Sequence, residues 1–112
     1  MKARTTPATL ETIMHARIAQ FEIVDGKVDD LAAAYASTMP LLRQAKGFRE
    51  TILMIDRAAQ KAISVSLWDS ESDIRETERP GSFLEKALPT VAKFQKARPH
   101  FTIAEVVVRE RD

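Results

Sequence analysis

The sequence contains no cysteine among its 112 residues. This absence excludes a disulfide framework, a thiolate nucleophile and a thiolate metal site. The three glycines are isolated from one another, so no glycine-rich loop is present to cradle a phosphate. No apolar run is long enough to cross a bilayer, and the N-terminus lacks the apolar segment of a signal peptide. We therefore expect a protein of the reducing cytoplasm that does not enter a membrane.

The chain also lacks an excess of either charge. Its 17 Lys and Arg residues against 16 Asp and Glu residues give a net charge of +1. A nucleic-acid-binding protein needs a basic face to neutralise phosphates, so we expect no nucleic-acid partner. The length suits one domain. We assign residues 12–112 to a single domain and the polar, threonine-rich residues 1–11 to a mobile N-terminal arm.

Alternating apolar residues and turn signals predict the order β-α-β-β-α-β, the split arrangement of an α+β, ferredoxin-like sandwich with an antiparallel sheet. The predicted strands are 13–24, 48–56, 61–68 and 99–109, with a four-residue loop at 57–60; the predicted helices are 28–45, 70–78 and 82–97. Pro40 is expected to kink the first helix near Ser37. Ser70 is the expected cap of the second helix, and Ser82 with Glu85 fits a capping box on the third.

All four predicted strands carry apolar residues on both faces. A single split sandwich has helices on only one face of its sheet, so the second face needs a cover. The same face of a second copy would supply one with matching chemistry. We therefore expect a homodimer in which two sheets face each other.

Three segments carry a resemblance to a known family: ARIAQFEIVDGKVDDL, LRQAKGFRE and KAISVSLWDSESDI. Over residues 15–109 the chain resembles the antibiotic biosynthesis monooxygenase (ABM) family of dimeric α+β barrels. The resemblance implies a ferredoxin-like subunit, a homodimer and a small apolar pocket for an aromatic molecule. The family contains oxygenases that oxidise phenolic polyketides without metal or flavin, haem-degrading enzymes, quinol oxidases and proteins with no assigned reaction.

The family's functional positions are only partly kept in this chain. In the polyketide oxygenases a tryptophan ends the third strand, and Trp68 matches it. The positions of their asparagine and tyrosine hold Ser64 and Ile74, and their downstream arginine has no counterpart. The positions of the asparagine, tryptophan and histidine of the haem-degrading members fall near Ala16, Thr77 and Leu88. We therefore expect no haem and no other cofactor.

The two histidines, His15 and His100, are candidates for acid–base chemistry because an imidazole titrates near neutral pH. If both face one cavity, His15 is the predicted catalytic base for a phenol and His100 a substrate contact. The alternative is that they are two unrelated residues at strand ends. Two histidines without a paired carboxylate motif do not predict a metal site.

Three further side chains could form a ligand site. Trp68 is predicted to wall a cleft and to orient a ligand oxygen with its indole N–H; the alternative is core packing. Tyr35 and Ser64 are predicted substrate contacts, although Tyr35 also fits a core position with one hydrogen bond. Arg17 lies among apolar residues and is expected to pair with Glu105 or to bind an anionic substrate.

Two functions remain open from the sequence. The first is a cofactor-free monooxygenase acting on a phenolic or quinol-type molecule, in which a substrate carbanion reacts with oxygen after deprotonation. The second is a non-catalytic small-molecule-binding or stress-response protein on the same fold. The sequence leaves open whether the protein is an enzyme at all.

Overall fold

A computed structural model describes residues 13–111, so the predicted arm at residues 1–11 lies outside the described part. The elements are β1 His15–Glu22, α1 Val28–Ser37, α2 Met39–Leu42, β2 Phe48–Asp56, β3 Lys61–Trp68, α3 Glu71–Glu76, α4 Phe83–Ala92 and β4 His100–Glu105. Between residues 13 and 111, no helix is long and apolar enough to cross a membrane.

The four strands form one sheet in the order β2-β3-β1-β4, and every neighbouring pair is antiparallel. This is the predicted ferredoxin-like α+β arrangement, which is confirmed. The first and last strands are neighbours, with His15 opposite both Trp68 and Glu105. Residues that lie opposite each other share a face, so this register decides which side chains can meet.

One face of the sheet carries the helices and the core. Phe21, Ile23 and Ala62 on this face pack against Val28 and Leu31 of α1. A second cluster joins Leu42, Trp68 and Ile74 at the other end of the sheet. The spacing of apolar residues in α1 predicts one buried stripe, and the structure buries that stripe against the strands.

The opposite face of the sheet, which we call the open face, bears no helix. Its large apolar side chains include Ile52, Met54 and Ile63, which are 49%, 47% and 42% exposed. The register places Met54 opposite Ile63 and Ile63 opposite Gln20, so these side chains form a continuous surface across three strands. An apolar surface of this kind on a soluble protein is typical of an interaction site.

The first helix is broken rather than kinked. Helix α1 ends at Ser37, and α2 begins at Met39 with Pro40 in its first turn. The hydroxyls of Ser37 and Thr38 donate to the carbonyls of Ala34 and Tyr35 at 2.6 and 2.7 Å. Side-chain hydroxyls that bond back to preceding carbonyls compete with a continuing helix. The interruption therefore has two causes, which are these hydroxyl bonds and the backbone N–H that Pro40 lacks.

The cap predictions have different outcomes. The Ser70 hydroxyl accepts a hydrogen bond from the Asp73 backbone N–H at 3.1 Å, which confirms the predicted cap of α3. The capping box on α4 is wrong, because Ser82 makes no side-chain cap bond. The Glu85 carboxylate instead accepts from the Gly81 backbone N–H at 2.6 Å. The backbone turn at Gly81, which has a positive φ of 81°, brings that N–H within reach.

Candidate functional site

A small cavity lies between the helix-bearing face of the sheet and the helices α1, α2 and α4. The sheet contributes Arg17, Ser64 and Phe101 to its wall, and the helices contribute Tyr35, Leu42 and Phe83. The wall is mostly apolar, with a few polar groups converging on it. That combination is typical of small-molecule sites.

The cavity volume is ≈ 50 Å³. Pockets that hold a drug-sized ligand measure about 300–1,000 Å³. A few water molecules fit in this space, whereas an aromatic ring does not. Binding of an aromatic ligand therefore requires α4 to move away from the sheet, since Phe83, Leu84 and Ala87 from the first half of α4 close one side of the cavity.

Tyr35 and Ser64, two of the predicted substrate contacts, line this cavity together. The Tyr35 hydroxyl is 2.7 Å from the Thr51 hydroxyl, and either group can be the donor. Tyr35 reaches the cavity from α1, whereas Ser64 reaches it from β3. The structure thus brings together two side chains that are 29 positions apart in the sequence.

Trp68 lies in the core rather than on the cavity wall. It is fully buried, and its ring packs edge-on against Phe48 with centroids 5.4 Å apart. Its indole N–H donates to the Ser66 hydroxyl at 2.8 Å. Ser66 lines the cavity, so Trp68 acts on the cavity through neighbouring residues rather than by lining it.

The two histidines lie on opposite faces of the sheet. His15 is on the helix side at the end of β1, where its Nδ1–H donates to the Ile13 carbonyl at 3.1 Å. Its Nε2 is 3.9 Å from a Glu71 carboxylate oxygen. His100 lies opposite Gln20 and is exposed on the open face, beside a groove of ≈ 380 Å³. The two histidines do not share a cavity, and neither lines the one that contains Tyr35.

Arg17 lies on the predicted face of β1, but the expected pair with Glu105 is wrong. It lies opposite Ile103, whereas Glu105 lies opposite His15, so the expected cross-strand pair does not form. The side chain points into the helix layer, and the residue is 5% exposed. Its guanidinium donates through Nη1 to the Thr77 hydroxyl at 2.6 Å. The signal available in the sequence was its position on the same face as Ala19 and Phe21, which are core residues.

Burial lowers the pKa of the Arg17 guanidinium from its usual value, and the acidic groups of Glu78 and Tyr35 partly oppose this effect. A guanidinium starts from a pKa so high that it stays protonated at neutral pH. Arg17 therefore brings a positive charge into the cavity wall. Among residues 13–111, no group of three or more histidine or acidic side chains is arranged to hold a metal ion.

The fold is shared with solved structures of several bacterial proteins. A protein of Bordetella bronchiseptica named for the antibiotic biosynthesis monooxygenases matches with a TM-score of 0.72 and 20% identity, over 86% of this chain and 99% of that one. SnoaB of Streptomyces nogalater, named as a cofactor-independent oxygenase, matches with a TM-score of 0.68 and 15% identity, over 88% and 95% of the two chains. Rv0793 of Mycobacterium tuberculosis matches with a TM-score of 0.67 and 15% identity, over 88% and 99%.

Comparison of the sequence with family models finds no match, and neither does comparison with curated proteins. The structural similarity extends over nearly the whole length of each neighbour. The chain therefore has the fold of the antibiotic biosynthesis monooxygenases, which confirms the family resemblance at the level of the fold. At these identities the likeness concerns the fold alone.

Proposed function

We propose that the protein binds a small phenolic or quinol-type molecule in the cavity between sheet and helices and oxidises it with molecular oxygen, without metal or flavin. The observation that carries the proposal is the cavity itself, where hydroxyl groups of Tyr35 and Ser64 converge within apolar walls. The shared fold with a cofactor-independent oxygenase supports it by analogy.

In this reaction the ligand loses its hydroxyl proton, and the resulting electron-rich ring carbon reacts with oxygen. One oxygen atom becomes a carbonyl of the product and the other leaves as water, so a phenol becomes a quinone. The protein's share is orientation and control of ionisation. Tyr35 and Ser64 would orient the ligand oxygens, and Trp68 would hold the Ser66 hydroxyl in place. His15 would act as the base only on a ligand that reaches the end of the sheet near Glu71.

Oxygen uptake tests this proposal directly. Purified protein treated with a chelator should consume dissolved oxygen when mixed with a panel of phenols and hydroquinones, and a quinone should appear in the absorption spectrum. Ser64→Ala, which removes the hydroxyl and adds no atom, should slow turnover by about tenfold or more if that hydroxyl orients the substrate. Exposed Ser72→Ala on α3 is the matched control, with unchanged turnover. Uptake equal to the protein-free rate for the whole panel would contradict an oxygenase.

The second candidate is a binding protein without catalysis, and specific contacts favour it. The hydroxyl of Tyr35 and the indole N–H of Trp68 already have protein partners. Neither histidine faces the cavity. Retention of a small aromatic compound in native mass spectra, together with no oxygen uptake, would select this function.

We further propose a homodimer in which the open faces of two copies pack together. Its support is the exposed apolar surface formed by Ile52, Met54 and Ile63 on a sheet face that carries no helix. Two copies related by a two-fold axis would cover the same surface on both subunits. The groove beside His100 lies at the rim of that surface and includes Met54 and Ile63 in its wall.

Replacing Ile52 with glutamate should convert the dimer into a monomer, because the change would bury two carboxylates in the interface. Sedimentation velocity or native mass spectrometry measures the outcome. Ala36→Glu is the matched control, because Ala36 is exposed on α1, on the other side of the molecule, and that variant should stay dimeric. A wild-type protein that is monomeric in dilute solution, or a dimeric Ile52→Glu variant, would show that the open face is not the interface.

A further inference from the structure

Arg17 is held in the middle of the fold by few polar contacts. Nη1 donates to the Thr77 hydroxyl, which in turn donates to the Ile74 carbonyl at 2.6 Å. A guanidinium has five N–H donors in a planar fork. The bond to Thr77 fixes the position of the side chain, and most of the fork remains for another acceptor.

Two aromatic rings flank the guanidinium. Its central carbon is 5.6 Å from the centre of the Trp68 ring and 5.9 Å from that of Phe101. Aromatic rings at this distance attract a cation, and a planar guanidinium can stack on their faces. Phe101 and Arg17 both line the cavity, so the guanidinium and one of its flanking rings belong to the same cavity wall.

The charge of Arg17 lacks a direct counterion in the described part of the chain. No carboxylate between residues 13 and 111 forms an ion pair with it, although the chain forms such pairs at many surface arginines. Burying a cation without an anion is costly. Leucine or valine would fill the same core position without that cost, so the arginine indicates a function that needs the charge.

We propose that Arg17 binds the ionised oxygen of the ligand, so that the cavity selects an aromatic compound as its phenolate. Once α4 has moved away from the sheet to admit the ring, its apolar side chains cover that ring, and Arg17 supplies the one positive charge on the wall. On binding, the hydroxyl proton of the ligand passes to solvent water, and the protein needs no base for this step. The inference rests on the cavity being the ligand site of the proposed function, but it concerns the ligand's charge rather than its oxidation.

para-Nitrophenol is a suitable probe, because its phenolate absorbs visible light and its phenol does not. The probe should ionise at lower pH when bound than when free, since an opposite charge nearby lowers the pKa of an acid by about 1–3 units. The protein should therefore bind the phenolate about 10-fold to 1,000-fold more tightly than the phenol. para-Nitroanisole, which cannot ionise, should bind as weakly as the neutral phenol.

Two substitutions test whether Arg17 is the source. Arg17→Gln should remove the pKa shift of the bound probe, and Arg17→Lys should keep part of it because the charge remains. Arg57→Gln, in the exposed turn between β2 and β3, is the matched control and should leave the shift unchanged. Glu78→Gln, at a partly exposed position, removes a carboxylate whose field reaches Arg17, so it should tighten phenolate binding. If Arg17 has only a structural role, Arg17→Gln lowers the stability of the protein. The bound probe then has its solution pKa in the wild type as well as in the variant.

The outcomes separate this inference from the proposed oxygenation. A wild-type protein that binds no probe, or that leaves the bound probe at its solution pKa, overturns the role of Arg17. The same follows if the shift persists in Arg17→Gln. If the shift is present and oxygen uptake is absent, the anion site stands and the oxygenase proposal fails. If oxygen uptake occurs without a shift, the oxygenase proposal stands and the anion site fails.

Discussion

Replacing Trp68 with alanine should lower the free energy of unfolding by about 3–5 kcal/mol. The ring is fully buried, packs with Leu42 and Ile74, and meets the Phe48 ring in a T-shaped arrangement. The substitution leaves a large void, because the surrounding strand and helix cannot collapse fully into the space. It also leaves the Ser66 hydroxyl without its indole donor. Urea-induced unfolding followed by circular dichroism measures the loss.

Trp68→Phe is the informative companion variant. It keeps an aromatic ring in the core, removes the N–H that binds Ser66 and leaves a smaller void than alanine does, so its stability loss should be clearly smaller than that of Trp68→Ala. If the variant is folded and no longer binds or oxidises a phenol, the predicted positioning role of Trp68 is supported. If binding and turnover match the wild type, Trp68 acts as a core residue alone. A stability loss below about 1 kcal/mol for Trp68→Ala would contradict this packing of the ring.

The fold was predictable because its signals are local. Strands β2 and β3 have the predicted bounds, since both show alternating apolar residues and meet at a short polar turn. That turn, residues 57–60, is the predicted four-residue loop. The Asp56 carboxylate accepts from the Ala59 backbone N–H at 3.0 Å within it. Short-range hydrogen bonding of this kind can be inferred from sequence because all partners lie within a few residues.

The site was less predictable because it depends on register, which no local pattern fixes. His15 and His100 lie in neighbouring strands, but His15 is opposite Glu105 and His100 is opposite Gln20. These pairs lie on opposite faces of the sheet, since side chains alternate along a strand. A shift of one residue in the pairing of β1 with β4 would have brought the histidines onto one face. The proposal that they share a cavity therefore depended on information absent from the sequence.

For Arg17 the sequence predicts the face of the sheet but not the contact partner. The alternation along β1 was sufficient to place it on the face with Ala19 and Phe21. Of the two interpretations of Arg17, the cross-strand pair with Glu105 is wrong, although charged residues are seldom fully buried without a partner. The sequence does not predict that Thr77, 60 positions away, accepts the hydrogen bond of Arg17. No local pattern predicts this contact between β1 and the C-cap residue of α3.

Replacing Gly47 with alanine should destabilise the protein more than the same change at Gly81, although the two backbones are alike. Their φ angles are 83° and 81°, a region that costs residues other than glycine about 1–2 kcal/mol. At Gly81 a methyl group would meet open space. At Gly47 it would overlap the Asp73 side chain. Overpacking in a tight site adds about 1–3 kcal/mol, so the difference between the two variants measures the clash.

Asp73 cannot move aside cheaply, because it sits in the first turn of α3 with its backbone N–H bound to the Ser70 hydroxyl. The Gly47 carbonyl also accepts from the Asp69 backbone N–H at 2.9 Å, which ties the two segments together. Adding Asp73→Ala to Gly47→Ala should therefore recover part of the lost stability, and Asp73→Ala should leave Gly81→Ala unimproved. Urea unfolding of the wild type, the three single variants and the two double variants gives the coupling energy. Equal losses for Gly47→Ala and Gly81→Ala would mean that the loop before β2 relaxes away from α3 and that the close approach is not a constraint on the fold.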